Sequence, residues 1–200
     1  MTAEALLAAG VATLHEAAGR RGLCRGLRVL AGGAFATTVR SPAGDNLGIH
    51  GADARARGVL CVASGGGGTY GVLGKLIALA APVAGLTGVV IDDGIRGVDL
   101  LGAPPSITAR SITAEGTIKR RSEALDGTVA IAGVLIEPGD WVVGDADGVL
   151  VVPRGRLVEV LADAVERGTK EGGIRSRLAD GATTVEVLGL TGLIEGGERR

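Results

Sequence analysis

One arginine and one lysine stand out among the groups that could do chemistry. Arg96 closes the run Gly88-Val-Val-Ile-Asp-Asp-Gly-Ile-Arg96, an apolar segment of strand length followed by a loop. A guanidinium at a strand end can grip a carboxylate through two parallel hydrogen bonds. It can equally pair with Asp92 or Asp93 beside it. Upstream, Ser64 and the glycines Gly65, Gly66, Gly67 and Gly68 lead into Gly71-Val-Leu-Gly-Lys-Leu76. A glycine-rich turn opening a helix presents backbone N–H groups that favour an anion, and it also serves as a plain connection between strand and helix. Lys75 is followed by Leu76 and not by Ser or Thr, so a nucleoside-triphosphate loop is disfavoured.

Other candidates are weaker. Asp145 and Asp147 lie in Gly-Asp-Ala-Asp-Gly148 without the distal glutamate of a calcium loop, and they read as a turn. His15 and His50 have no ligand partner at metal spacing and read as structural. Cys24 and Cys61 fall outside any CxxC pattern, which argues against a zinc site or a disulfide framework. No serine occupies a G-x-S-x-G elbow.

The elements that must position these groups follow from periodicity and turn chemistry. Residues 2–19 read as a helix with a weak point at Gly10, and Phe35–Val39 as a strand. Gly58–Ala63 and Gly88–Ile91 are apolar runs of strand length, separated by the glycine loop and a helix over about 73–82. Strand, loop, helix, strand is a βαβ unit, which implies a parallel pair and a right-handed crossover. Val129–Ile131 and Val134–Ile136 flank the hairpin turn Ala132-Gly133, and Trp141–Val143 and Val149–Val152 form a second pair. Leu157, Val160, Leu161, Ala164 and Val165 share one helical face, a further helix covers about 170–178, and the tail from Glu195 to Arg200 reads as loose. The expectation is one α/β domain over residues 1–200, with C-terminal helices over about 154–181.

Composition narrows the function. The net charge is -1, and the basic clusters Arg20-Arg21 and Lys119-Arg120-Arg121 are short, reading as solvated surface, so no nucleic-acid footprint is present. Mean hydropathy is +0.36 while aromatics make up only 2%, so the core must be built from Ala, Val, Leu and Ile. No unbroken apolar run reaches membrane-spanning length and no basic-then-apolar leader opens the chain, which reads as cytoplasmic.

From about residue 7 to 190 the sequence also resembles a known family. The resemblance is carried by Ala12-Thr-Leu-His-Glu-Ala17 with Gly19, Gly44-Asp-Asn-Leu47 with His50, Gly71-Val-Leu-Gly74, the run ending in Arg96, and Pro138-Gly-Asp-Trp-Val-Val-Gly-Asp-Ala-Asp-Gly-Val-Leu-Val-Val-Pro153. It is similar to the class II 4-hydroxy-4-methyl-2-oxoglutarate aldolases, a family that includes the regulator of ribonuclease activity A. The resemblance implies a swivelling β/β/α fold with a central mixed sheet. It also implies a trimer, or a dimer of trimers, with active sites at subunit interfaces. The implied chemistry is cleavage of a hydroxy keto acid to pyruvate, or decarboxylation of oxaloacetate, through a pyruvate enolate held by an arginine and a Mg or Mn ion.

Carried over by position, Arg96 matches the catalytic arginine. Gly71, Val72, Leu73, Gly74 and Leu76 match the carboxylate-binding helix start, and Asn46 and His50 belong to the substrate side. Two metal-associated positions depart from the pattern. Lys75 stands where a carboxylate is implied, and Gly97 stands for the Asp that follows the arginine. An ammonium close to a divalent cation repels it, so the ordinary metal site is expected to be absent and no cofactor is expected. Asp92, Asp93, Asp99 and Glu171 are the candidates for a displaced Mg or Mn site.

Three readings stay open. In one, Lys75 supplies the charge the metal would have carried, or, desolvated beside Arg96, acts as a base or forms a Schiff base; the protein is then a lyase, isomerase or cyclase for a small carboxylate. In another it is a non-catalytic regulator binding a ribonuclease or another protein. In the third it is a metal-dependent aldolase or decarboxylase with displaced ligands.

Overall fold

The computed structural model describes residues 2–27, 32–53, 56–98, 106–121, 123 and 125–197. Its spine is a mixed seven-stranded sheet. Strands β1 (Gly32–Ser41), β2 (Gly58–Ser64), β3 (Gly71–Leu73), β4 (Leu86–Ile95) and β5 (Ser106–Ile112) form the parallel part. β2 lies along the first half of β4, with Val59 opposite Gly88 and Val62 opposite Ile91. β3 lies along its end, with Gly71 opposite Gly94 and Leu73 opposite Ile95. β5 takes the other edge of β4, with a register shift between Ile91 and Gly94. The antiparallel strands β8 (Trp141–Asp145) and β9 (Gly148–Val152) extend the sheet beyond β1.

The central strands are buried on both faces, which is why they read as continuous apolar runs. Leu60, Val62, Val89 and Ile91 point to one face, where α3 (Leu47–Asp53) and α4 (Lys75–Ala80) cover them with Ile49, Ala52, Ile77 and Ala78. Val59, Cys61 and Val90 point to the other, against the hairpin β6 (Val129–Ile131) and β7 (Val134–Ile136). Helix layer, sheet and hairpin make three layers, the β/β/α arrangement that the resemblance implies. A third cluster packs α1 (Thr2–Ala9), α2 (Val11–Ala17) and α5 (Leu157–Ala179) on β8 and β9 through Leu6, Leu14, Leu150, Val152 and Val160.

Several boundaries differ from the sequence reading, each for a local reason. The N-terminal helix is two helices, broken at Gly10 with φ +77°. There the Asp145 carboxylate accepts the Val11 N–H at 2.7 Å, so an aspartate from the β8–β9 turn caps α2. Gly71–Leu73 is a strand and not the start of a helix, because its backbone pairs with β4. The two expected C-terminal helices are one. Gly168, Gly172 and Gly173 take no positive φ, and the Glu166–Lys170 ion pair at 2.5 Å spans the junction. The tail is helical further than expected. A capping box between Thr183 and Glu186 starts α6 (Thr184–Leu188), and α7 (Thr191–Gly197) takes in Glu195.

Candidate functional site

The glycine loop is built around an anion, but the anion belongs to the chain itself. Asp93 is fully buried in β4. Its Oδ2 accepts the Ser64 hydroxyl at 2.6 Å, and its Oδ1 accepts the N–H groups of Gly68, Tyr70 and Gly94 at 2.9, 3.0 and 2.9 Å. A Cβ on Gly66 would collide with this carboxylate, so glycine is required there by close approach. The Ser111 hydroxyl donates to the Gly68 carbonyl and ties the loop to β5. The loop therefore anchors the C-terminal end of β4, the end at which Arg96 emerges.

Arg96 leaves that end with its N–H bonded to the Leu73 carbonyl at 3.0 Å, while Thr113 N–H bonds to the Ile95 carbonyl at 2.9 Å. Its side chain lies across two glycines. A Cβ at Gly71 would come within 3.0 Å of the Arg96 Cβ and 3.1 Å of its Cδ, and one at Gly74 within 3.5 Å of its Nε. Gly71 thus keeps open the track along which the guanidinium runs. Beyond lies a cavity of about 430 Å³ lined by Asn46, His50, Gly74, Lys75, Leu76, Ile77, Arg96, Gly97, Ala114 and Lys119. It sits at the carboxyl ends of parallel strands, where open α/β sheets commonly bind ligands.

The far wall is pinned by a second buried carboxylate. Asp45 accepts the Leu47 N–H on Oδ1 at 3.0 Å, and the Arg120 and Arg121 N–H groups on Oδ2 at 2.9 and 2.8 Å. Burial raises its pKa, but these three backbone donors outweigh that and hold it below the ordinary aspartate value. Asn46 N–H bonds to the Ile118 carbonyl at 3.1 Å, and its side-chain Nδ2 to the Val72 carbonyl at 3.0 Å. Asp45 therefore sets Asn46 on one side and Lys119 on the other.

Of the residues singled out by sequence, Arg96, Lys75, Gly74, Leu76, Asn46 and His50 line one cavity. Gly71 backs Arg96, Val72 holds Asn46, and Leu73 is buried in β3. Lys75 is exposed in the single chain, so the desolvation that a base or Schiff-base lysine needs is not supplied by its own chain. Lys119, grouped with solvated surface in the sequence reading, lines the cavity. Only the fold of the 113–121 segment brings it there.

Among the described residues of the single chain, the candidates for a displaced metal site are not grouped. Asp93 is consumed by the glycine loop, and Asp92 is paired with Arg110. Glu171 lines a separate cavity between α2 and α5 with Glu16, Asp163, Glu166, Arg167 and Lys170. Asp99 lies outside the described residues. Among the described residues no three His, Cys, Asp or Glu side chains are grouped to hold a metal, and the lining of the Arg96 cavity carries three cationic side chains and no carboxylate. That donor set does not fit a carboxylate-held Mg or Mn ion. Gly97 has φ +66° with open space around its missing Cβ, a backbone that aspartate adopts only at some strain. Both cysteines are buried, and burial pushes the Cys24 thiol up to about 12, which disfavours the thiolate that a nucleophile needs.

The comparisons agree with this architecture. The RraA-like family model, described as Aldolase/RraA, matches residues 9–151. A protein of Halalkalibacterium halodurans named "Putative 4-hydroxy-4-methyl-2-oxoglutarate aldolase" is 33% identical over 66% of this chain and 64% of its own length. An uncharacterised protein of Methanocaldococcus jannaschii is 34% identical over 60% of this chain and 58% of its own. The chain thus spans about three fifths of the length of these relatives. A solved structure of an uncharacterised Pseudomonas syringae protein superposes with a TM-score of 0.81 over 93% of this chain and 92% of its own, at 23% identity. The RNA-processing inhibitor RraA of Thermus thermophilus superposes with a TM-score of 0.56 over 65% of this chain and 78% of its own, at 26% identity. Among the described residues no helix is long and apolar enough to cross a membrane. Three layers, the Arg96 cavity and a family match over most of the sequence lead to one assignment: the chain belongs to the RraA-like family.

Proposed function

We propose that the protein is a carbon–carbon lyase that forms a keto-acid enolate and stabilises it with cationic side chains in place of a carboxylate-held metal. The observation that carries this reading is the Arg96 side chain, laid over Gly71 and Gly74 into a cavity lined by Lys75 and Lys119 and by no carboxylate. The aldolase names of several relatives point to the same reaction class.

The substrate carboxylate sits against the start of α4, where the N–H groups of residues 75–77 have no acceptor within the helix. With oxaloacetate, the C3–C4 bond breaks and CO2 leaves. The electron pair moves through C2 onto the carbonyl oxygen, and Arg96 donates to that oxygen as charge builds. Water then protonates C3 to give pyruvate. With 4-hydroxy-4-methyl-2-oxoglutarate the same bond breaks, the C4 hydroxyl loses its proton to solvent and becomes a ketone, and the same enolate forms.

Pyruvate release from both substrates, followed by coupled reduction to lactate, tests this. Arg96→Ala is expected to lower kcat by roughly 10²–10³-fold, with Arg96→Lys between it and the native protein. Full activity in Arg96→Ala ends the proposal. Self-association belongs to the same reading. α4 and the turn after it carry Leu76, Leu79 and Val83 at 79%, 58% and 90% exposure beside the cavity, an apolar row that a second copy of the chain would cover. Sedimentation velocity should therefore show a multiple of 19.9 kDa, and a monomer would remove this part.

A further inference from the structure

Residues 113–121 supply Ala114 and Lys119 to the lining of the Arg96 cavity, yet none of their side chains is buried. Thr113 and Thr117 are half-buried and the others are exposed. A segment with no apolar anchor keeps its place through its hydrogen bonds. At one end, Thr113 N–H reaches the Ile95 carbonyl and the Glu115 carbonyl takes the Gly71 N–H, each at 2.9 Å. Gly116 follows at once, and a Cβ there would lie 3.9 Å from Arg96 Nη1. The Arg96 side chain thus has Gly71 against its stem and Gly116 against its guanidinium.

The other end is held by Asp45 and its neighbours. The Gly44 carbonyl accepts the Ile118 N–H at 2.9 Å, and the Ile118 carbonyl accepts the Asn46 N–H at 3.1 Å. The Asp45 carboxylate, in a residue only 2% exposed, accepts the Arg120 and Arg121 N–H groups. Its other oxygen accepts the Leu47 N–H, which fixes the carboxylate to the start of α3. Hydrogen bonds to an ionised acceptor are roughly twice as strong as neutral ones, so the carboxylate supplies the stronger part of this attachment. Gly116 lies two residues ahead of Ile118. Releasing this end therefore frees the backbone that rests on the guanidinium.

We propose that Asp45 is a positioning residue for the reaction. It latches residues 113–121 in place, and the latched segment holds the Arg96 guanidinium toward the substrate. This inference rests on the reading of Arg96 as the group that stabilises the enolate. The carboxylate bonds to the segment and to α3, and it acts on Arg96 through Gly116. A shift of about 1 Å in a group that must meet developing charge can cost about 10²-fold in rate, even when its cause lies away from the chemistry.

Asp45→Asn keeps the size of the side chain but turns one acceptor oxygen into a donor, so part of the N–H set loses its partner. Hydrogen exchange and pyruvate release from oxaloacetate above the spontaneous rate, both on the full chain, read the consequences. Exchange is expected to rise at least about tenfold in residues 113–121 while β2 and β4 keep their native rates. The kcat is expected to fall about 10–100-fold. In Arg96→Ala the same substitution should change kcat by less than about twofold, because the group it positions is gone. An unchanged kcat in Asp45→Asn overturns the proposal, as does an equally large loss in the Arg96→Ala background. Exchange that rises as much across the sheet as in the segment also overturns it, since a purely structural carboxylate gives that result. If the native protein releases no pyruvate, the enolate reading fails and exchange alone decides the latch: a rise confined to residues 113–121 upholds it, and no rise overturns it. If Asp45→Asn does not fold by circular dichroism, the native Arg120 and Arg121 amides decide. Protection of at least about tenfold over an unstructured chain supports the latch, and none overturns it.

Discussion

At Asp45, burial and hydrogen bonding pull in opposite directions, and the three backbone donors win. A carboxyl held below its unfolded value adds stability that is fully present above the ordinary aspartate pKa of about 3.9, and that stability is lost as pH falls through the folded value. Native protein should therefore be more stable than Asp45→Asn at neutral pH, with the gap closing below about pH 4. Thermal melts from pH 7 down to 3 check this; a gap that stays constant to pH 3 contradicts it. The residues around Asp45 also show how far single positions could be read. Arg96, Lys75, Asn46 and His50 were legible because strand-end position or motif resemblance marks them. Lys119 was not, since a Lys-Arg-Arg run looks like surface until backbone bonds from its two arginines fold it against Asp45.

Among the elements, β4 and the glycine loop form one unit through Asp93. Strand, loop, helix and strand could be placed from apolar runs and glycine spacing, and β2 and β4 do pair in parallel. That the loop wraps a carboxylate from inside the chain could not be read, because Asp93 lies 29 residues from Ser64 and its partners are mostly backbone N–H groups, which any sequence supplies. Asp93→Ala strips four donors, two buried and two part-buried, of their acceptor and should destabilise the fold by about 3–5 kcal/mol. Urea unfolding measures it, and a loss under about 1 kcal/mol would mean that the loop is held by other contacts. The single long α5 escaped for a related reason. Glycines at positions 168, 172 and 173 suggest a break, yet on an exposed helix face they take helical angles while ion pairing carries the turn across.

For the molecule as a whole, three layers place the carboxyl ends of β3, β4 and β5, the start of α4 and the Asp45-pinned segment around one cationic cavity. The parallel β2–β4 pair was legible from apolar runs and glycine spacing and the layering through the family resemblance, but the strand order was not. The charge balance of the cavity was only half legible, since Lys75 and Gly97 announce the missing carboxylates but not the third cation. The central claim is that this charge does the work of a metal held by carboxylates. Pyruvate release from oxaloacetate, above the spontaneous rate, should persist after exhaustive treatment with a chelator and change less than about twofold on adding Mg or Mn. Activity that vanishes on chelation and returns in proportion to added metal would contradict the account.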